Sequence, residues 1–112
     1  MGNAAIANHT FHNAITSAST GNDYSIHGVE DFMNLEFVIS TGGTFSASVK
    51  AQVLDTNVWH DYEVFDHPTR TATATVTDAT KLYELNLRGI TKVRIEVTAL
   101  TGTLSVYGKA VG

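Results

Sequence analysis

Apolar residues occupy every second position along much of this chain, beginning near Phe32. The longest such run places these apolar residues on one face of an extended segment: Phe45, Ala47, Val49, Ala51 and Val53. Serine, lysine and glutamine fill the positions between them. A period of two is typical of β-strands that bury one face, and no segment shows a sustained helical period. The sequence therefore predicts an all-β domain.

Turn signals divide the alternating segments into roughly seven or eight strands. A Gly-Gly β-hairpin is expected at residues 41–44, and further turns at residues 55–57, Pro68 and residues 101–102. The run at residues 59–65 and the threonine-rich run at residues 71–77 are each expected to form one strand. Short strands joined by turns favour a two-sheet antiparallel sandwich, jelly-roll-like, although periodicity does not set the strand order.

The first 22 residues are dominated by small and polar residue types. We expect residues 1–22 to form an extended N-terminal arm with an edge strand within residues 10–18, and residues 23–112 to form the sandwich. Phe11 and Ile15 are expected to anchor the arm by burial against a partner protein. Deletion of residues 1–20 would then abolish assembly and leave the monomer folded. A frayed terminus without function is the alternative interpretation.

Composition excludes several classes of protein. The chain of 112 residues has no cysteine, which removes disulfides, thiolate nucleophiles and cysteine-based metal sites. The formal net charge is -4 and no basic stripe is present, so we expect no nucleic-acid binding. No apolar run reaches the roughly 18–20 residues of a membrane span. The N-terminus lacks the features of an export signal, so synthesis in the cytoplasm is expected.

No arrangement of polar residues indicates catalysis. His60 beside Asp61, and His67 beside Asp66, offer a metal or acid–base cluster in principle, but surface histidines in turns are the commoner case. The acidic residues within 23–31 do not have calcium-loop spacing and are interpreted as a solvated turn. Nucleophile-elbow and phosphate-loop motifs are absent from the sequence. We expect no enzymatic activity, no cofactor and no metal.

The aromatic residues are the best candidates for contacts. Tyr107 alternates with buried-type neighbours and should face outward, which makes it a candidate partner-binding residue. Trp59 and Tyr62 lie near one turn. We favour Trp59 as a filler of one end of the core. The alternative is that Trp59 and Tyr62 are exposed platforms on which a sugar ring stacks.

Two segments resemble small β-sandwich virion proteins of tailed bacteriophages, of the head-decoration or tail-accessory type. The first is residues 42–53, GGTFSASVKAQV, followed by a turn and Trp59. The second is residues 89–110, GITKVRIEVTALTGTLSVYGKA, which resembles the closing hairpin of those proteins. Together the two segments lie within the last two-thirds of the chain.

The resemblance implies a bacteriophage virion structural protein, such as a capsid decoration (cement) or similar accessory subunit that acts by surface binding. Its expected partners are other copies of the chain, in a homo-oligomer, and virion proteins such as the major capsid protein. The expected location is the virion, made in the host bacterial cytoplasm, with no nucleic-acid or membrane partner. The alternative is a carbohydrate-binding β-sandwich module of a tail or receptor-binding assembly. Such a module would use Trp59, Tyr62 or Tyr107 beside Asp61 or Asn57.

Overall fold

The computed structural model describes residues 5–112, which form two antiparallel sheets packed as a β-sandwich and contain no helix. The six-stranded sheet has the order β1 (Ala5–Ile15), β11 (Leu104–Val111), β3 (Phe32–Ile39), β9 (Tyr83–Asn86), β6 (Val64–Asp66) and β7 (Ala72–Thr73). The five-stranded sheet has the order β2 (Tyr24–Ser25), β10 (Lys92–Thr101), β4 (Thr44–Gln52) and β5 (His60–Asp61), with β8 (Thr75–Val76) also paired to β4. The predicted all-β sandwich is confirmed. The jelly-roll topology stays a prediction.

The core lies between the two sheets and is built from the alternating residues of each strand. On β4, Phe45, Ala47, Val49 and Ala51 are buried as predicted. Val53 is not, because β4 ends at Gln52 and the side chain of Val53 is 61% exposed. The buried residues of the other strands include Met33, Leu35, Leu85, Val93, Ile95, Leu104 and Val106.

The predicted hairpin at residues 41–44 is wrong. β3 belongs to the six-stranded sheet and β4 to the five-stranded sheet, so this turn carries the chain across the core. The turn at residues 101–103 does the same between β10 and β11, which means that the second segment resembling phage proteins is not a hairpin either. The two crossings lie side by side, since the N–H of Ser40 donates to the carbonyl of Thr103 at 2.9 Å.

Two segments expected to form single strands are each divided between the sheets. β5 and β6 lie within residues 59–66 but pair in different sheets, and the same holds for β7 and β8. Periodicity could not reveal these crossings because it assigns side chains to faces and does not say which strands pair. Residues 5–112 therefore contain eleven strands, some of only two residues, instead of the expected seven or eight.

The N-terminal segment is part of the sandwich. β1 begins at Ala5 and pairs with β11 along its length, with three register shifts. Residues 16–23 then cross to the five-stranded sheet, where Ser19 bridges Val97. The ring of buried His12 also joins the sheets, with its Nε2 2.6 Å from the carbonyl oxygen of Ile95 on β10. Residues 1–4, which belong to the predicted arm, lie outside the described residues.

Candidate functional site

A groove of about 420 Å³ lies on the outer face of the six-stranded sheet, where β1, β11 and β3 run side by side. We call it the Tyr107 groove. Its outward-facing lining residues are Asn8, Thr10, Asn34, Glu36, Leu82, Tyr107 and Lys109. Tyr107 is 38% exposed and faces outward, as the alternation predicted. The groove therefore combines one aromatic ring with several polar side chains.

Strand register arranges the groove in two rows. Tyr107 lies opposite Thr10 on one side and Glu36 on the other. Lys109 lies in the next row, opposite Asn8 on β1 and Asn34 on β3. Directly opposed residues have Cβ atoms about 4.5–5.5 Å apart, so each row forms a continuous line of side chains. The Tyr107 ring is thus flanked by a hydroxyl and a carboxylate, with the ammonium group and two amides in the adjacent row.

Asn34 is held in place by the turn that follows β6. Nε2 of His67 lies 3.0 Å from Oδ1 of Asn34. With the proton on Nε2, the ring donates to this oxygen and both amide N–H donors of Asn34 stay available to a ligand. The backbone N–H of His67 also donates to the carbonyl of Leu82 at 3.0 Å. This hydrogen bond connects the turn of His67 to Leu82, which lines the groove.

The turn that carries His67 is fixed by buried Asp66. One carboxylate oxygen of Asp66 accepts hydrogen bonds from the backbone N–H and the hydroxyl of Thr69, at 2.8 and 2.6 Å. The other oxygen lies 3.3 Å from the ammonium group of Lys81. The hydrogen bonds from Thr69, together with Lys81, hold the pKa of the Asp66 carboxyl well below its usual range. The sequence placed this carboxylate in a turn beside His67, and its burial was missed.

Lys109 differs from the other basic side chains of the protein. Within residues 5–112, ion pairs to a carboxylate are formed by Lys50, Lys81, Lys92, Arg70, Arg88 and Arg94. Lys109 is the remaining one of the seven lysines and arginines, and in the described chain it forms no such pair. Glu36, which neighbours Tyr107, also forms none there. The two charges at the groove are therefore not neutralised by close partners among residues 5–112.

A second surface lies at one end of the sandwich. Of the eight large apolar side chains that are exposed in the described chain, five lie at this end: Ile6, Val29, Val53, Leu54 and Val58. We call this surface the apolar end. Their exposed fractions run from 36% at Ile6 to 68% at Leu54. The sequence pattern did not identify this surface, because Val53 was placed in the core and the loop at residues 53–59 was treated as a turn.

The register of the strands brings these residues to the same end. Lys92, the first residue of β10, pairs with Gln52 at the end of β4 and with Ser25 of β2. The loops at residues 53–59 and 26–31 therefore start at the same end of the five-stranded sheet, on either side of β10. Ile6 and Val29 both lie against Gly112, where an added Cβ would be 2.6 Å from Cδ1 of Ile6.

The loop that carries Val29 is organised by buried Glu30. The Glu30 carboxylate accepts hydrogen bonds from the Tyr24 hydroxyl at 2.6 Å and from the backbone N–H groups of His27 and Val29 at 3.0 and 3.1 Å. Burial alone would raise the pKa of this carboxyl, but the hydrogen bonds from Tyr24 and His27 lower it to about 2. The prediction of a solvated acidic turn is therefore wrong for Glu30, which is buried because its charge is fully hydrogen-bonded.

Trp59 does not fill the core, and that prediction is wrong. Its side chain is partly exposed, and the guanidinium carbon of Arg94 lies 4.0 Å from its ring centroid. Arg94 also pairs with Asp23 at 2.9 Å and with Glu96 at 3.2 Å. One face of the indole is therefore covered by a cation, which leaves less of it for stacking on a sugar.

Tyr62 lies away from both Trp59 and Tyr107. It packs partly against the core, and its hydroxyl donates to the carbonyl of Asn86 at 2.8 Å. It lines a separate pocket of about 290 Å³ with Asp61, Glu63, Phe65 and Asn86. The structure does not bring the three predicted aromatic contacts into one site.

The predicted partner contact of Phe11 requires correction. Phe11 is fully buried within its own chain, with its ring edge-on to His9 at a centroid distance of 4.5 Å. Ile15 is partly buried against the same core. Phe11 has no surface to offer a partner, because the bulge after Thr10 turns it towards the interior together with His12. A partner contact through Ile15 stays a prediction.

Neither a metal site nor a membrane-spanning helix is present among residues 5–112. Among residues 5–112, no group of three or more histidine, aspartate or glutamate side chains is placed to hold a metal ion. His60 lies in β5 and His67 follows β6, so the two belong to different sheets. The described chain has no helix of the length and hydrophobicity needed to cross a bilayer.

Comparison with known proteins identifies the fold. No protein-family model and no curated protein sequence matches the chain. Among solved structures, SPBc2 prophage-derived protein YomS is similar, with a TM-score of 0.86 and 20% identity over 95% of this chain and 92% of that chain. PBSX exported protein XepA is also similar, with a TM-score of 0.89 and 18% identity over 100% of this chain. This chain spans 39% of the length of XepA. At these identities the likeness establishes a shared β-sandwich fold.

Proposed function

We propose that this protein is a bacteriophage structural protein, specifically a capsid decoration (cement) or similar accessory virion subunit that acts by surface binding. The observation that carries the proposal is the apolar end, where five large apolar side chains are exposed. Exposed apolar patches that exceed the ordinary scatter of single residues are typical of interaction surfaces. The loop of Val29 is held by the hydrogen bonds of Glu30, so part of this surface is formed before any partner arrives.

The surroundings of the apolar end favour a protein partner. Ion pairs lie beside the apolar residues, Arg88 with Asp31 at 3.0 Å and Lys92 with Asp55 at 3.1 Å. An apolar centre with a polar rim is the usual composition of a protein–protein interface. The partner expected here is another virion protein, such as the major capsid protein. The chain is expected to act as a homo-oligomer in the particle, and its role requires no catalysis, cofactor or metal.

Two observations support a phage origin. YomS, described as prophage-derived, shares the fold along nearly the whole chain. Residues 42–53 and 89–110 also resemble segments of small virion proteins in tailed bacteriophages. XepA is described as an exported protein. An exported location is therefore the hypothesis that competes with a location in the virion.

The proposal is tested by adding purified protein back to particles that lack it. We expect the wild-type chain to co-sediment with the particles and Leu54→Asp to remain in the supernatant, because a buried carboxylate at the apolar end would lack a partner. Val38→Asp is the matched control, since Val38 is exposed but lies on the outer face of the six-stranded sheet. Equal co-sedimentation of both variants with wild type would contradict a role for the apolar end.

A second candidate function is a carbohydrate-binding module. The Tyr107 groove favours it, because an exposed tyrosine lies among amide, carboxylate and ammonium groups there. The Trp59 and Tyr62 positions fit it less well, since one face of Trp59 is covered by Arg94 and the hydroxyl of Tyr62 is bonded to Asn86.

A further inference from the structure

We infer that the Tyr107 groove is a binding site for a neutral saccharide, with Tyr107 as the stacking surface and Asn34, Glu36 and Lys109 as hydrogen-bonding groups. This inference rests on the second candidate function and is independent of the apolar end. The groove of about 420 Å³ falls within the range of small-ligand sites, about 300–1,000 Å³.

The aromatic ring supplies the apolar contact. Tyr107 projects from the centre of a three-strand surface, between Thr10 and Glu36, and its ring is partly exposed. A tyrosine ring offers a rigid apolar face and costs little conformational entropy when it is covered. The C–H face of a pyranose ring is flat and apolar, and it matches such a surface. Leu82, which is exposed beside the groove, extends the apolar area.

The polar groups require a ligand that both donates and accepts hydrogen bonds. Lys109 can only donate to a ligand, and Asn34 offers its two amide N–H donors, since its amide oxygen already contacts His67. The Glu36 carboxylate can only accept. A sugar hydroxyl does both, so neighbouring hydroxyls can satisfy Lys109, Asn34 and Glu36 together.

Charge excludes the other common ligand classes. A phosphate or carboxylate ligand would be attracted by Lys109 and repelled by Glu36 in the adjacent row, and the groove has no second unpaired cation among residues 5–112. A cationic ligand would be attracted by Glu36 and repelled by Lys109. An extended peptide binds best along a sheet edge, where backbone groups are free, whereas this groove lies on the face of three paired strands. A neutral, hydroxyl-rich ligand meets no such penalty.

Preorganisation supports the assignment. Asp66 fixes the turn that carries His67, and His67 contacts Asn34. These contacts hold the Asn34 amide in place before a ligand binds. Fixing a polar group in advance reduces the entropy lost when a ligand is bound. An amide that served only as a solvated surface residue would not need this support.

The test is an NMR titration of the full chain with three neutral tetrasaccharides, built from glucose, galactose or N-acetylglucosamine, and with tetragalacturonate as the anionic counterpart. We expect at least one neutral tetrasaccharide to shift the backbone signals of Asn34, Tyr107 and Lys109, and tetragalacturonate to bind more weakly. Tyr107→Ala should weaken binding by about tenfold or more, whereas Tyr107→Phe should stay within about threefold of wild type. Trp59→Ala is the matched control and should bind like wild type.

The inference is overturned if none of the neutral tetrasaccharides shifts these signals, if tetragalacturonate binds as well as they do, or if Trp59→Ala rather than Tyr107→Ala abolishes binding. Near-ultraviolet circular dichroism of each variant confirms that it is folded. Failure here is distinguishable from failure of the virion proposal, because Leu54→Asp should retain saccharide binding and Tyr107→Ala should retain co-sedimentation with particles.

Discussion

His67 orients the side chain of Asn34, with Nε2 of the ring 3.0 Å from Oδ1 of the amide. The two residues are far apart in sequence and meet because the turn after β6 folds over the outer face of β3. The sequence marks His67 only as a histidine beside Asp66 in a turn, and Asn34 only as a polar residue between two apolar ones. Together they fix one polar group of the Tyr107 groove.

Removal of His67 should weaken ligand binding without unfolding the protein. His67→Ala takes away the ring that holds Asn34 but leaves the backbone hydrogen bond to Leu82 in place. We expect affinity for the best neutral tetrasaccharide to fall several-fold and stability to change by less than about 0.5 kcal/mol, as for an exposed side chain. Titration calorimetry and denaturant unfolding measure the two quantities. A loss of stability with unchanged affinity would contradict a positioning role.

Truncation of Phe11 should destabilise the monomer. Because Phe11 is fully buried, Phe11→Ala is expected to cost about 3–5 kcal/mol in the free energy of unfolding. Ile6→Ala is the matched control in the same strand, and its effect should be much smaller because Ile6 is exposed. The result would also overturn the expectation that residues 1–20 can be deleted from an intact monomer, since β1 contributes this residue to the core. A small effect of Phe11→Ala would indicate that β1 is only loosely attached.

Substitution of Gly108 should overpack the core beneath the Tyr107 groove. A Cβ at this position would collide with the sulfur of Met33 and lie 2.9 Å from Cε2 of Phe11. We expect Gly108→Ala to cost about 1–3 kcal/mol, the usual range for overpacking. The double variant with Met33→Ala should cost less than the sum of the two single variants, because the smaller side chain makes room. Strict additivity in denaturant unfolding would show that the two residues do not compete for space.

Acid should destabilise the loop at the apolar end through Glu30. The folded-state pKa of Glu30 is about 2, below its ordinary value of 4.5. Because the pKa of this carboxyl is lower in the folded state than in the unfolded state, its ionised form stabilises the fold. The contribution is complete above about pH 4.5 and is lost as the pH falls from there towards 2. Glu30→Gln should lower stability at pH 7 and flatten the pH dependence between pH 5 and pH 2, measured by thermal unfolding across that range. Glu63→Gln is the exposed control, and an unchanged slope for Glu30→Gln would rule out this source of acid sensitivity.

The contact between Trp59 and Arg94 should be visible by fluorescence. Trp59 is the only tryptophan of the chain, so its emission reports this contact alone. Arg94→Met removes the cation 4.0 Å from the ring centroid and should change the emission maximum or intensity. Lys109→Met, which is remote from the indole, should leave the emission as it is. Identical spectra for both variants would mean that the guanidinium does not cover the indole in solution.

The sequence was informative about which residues are buried and less so about which strands are neighbours. Alternation correctly placed Phe45, Val49 and Ile95 inside and Tyr107 outside, because a period of two assigns faces directly. It could not tell a hairpin from a crossing between sheets, since both join two strands of the same periodicity through a short turn. For that reason the turn at residues 41–44 was assigned to a hairpin, and the closing hairpin implied by the resemblance at residues 89–110 could not be tested by periodicity.

The candidate sites depended on information that local patterns do not carry. Glu30 was expected to be solvated, because its donors, the Tyr24 hydroxyl on β2 and the backbone N–H groups of His27 and Val29, meet it only through a loop shape that the sequence does not specify. Phe11 was expected to contact a partner, because a polar segment with one phenylalanine gives no sign of the bulge that turns it inward. The apolar end was missed since Val53 continues the alternation of β4 after the strand has ended.

The most direct test of the virion proposal is hydroxyl-radical footprinting of gradient-purified particles, with mass spectrometry to quantify the chain and its labelled side chains. We predict that the chain is present at a fixed ratio to the major capsid protein, and that Leu54 and Val58 are protected in particles relative to the free protein. Tyr107 should remain labelled to a similar extent in both states. A chain found in the medium and absent from particles, or Leu54 labelled equally in both states, would contradict the proposal.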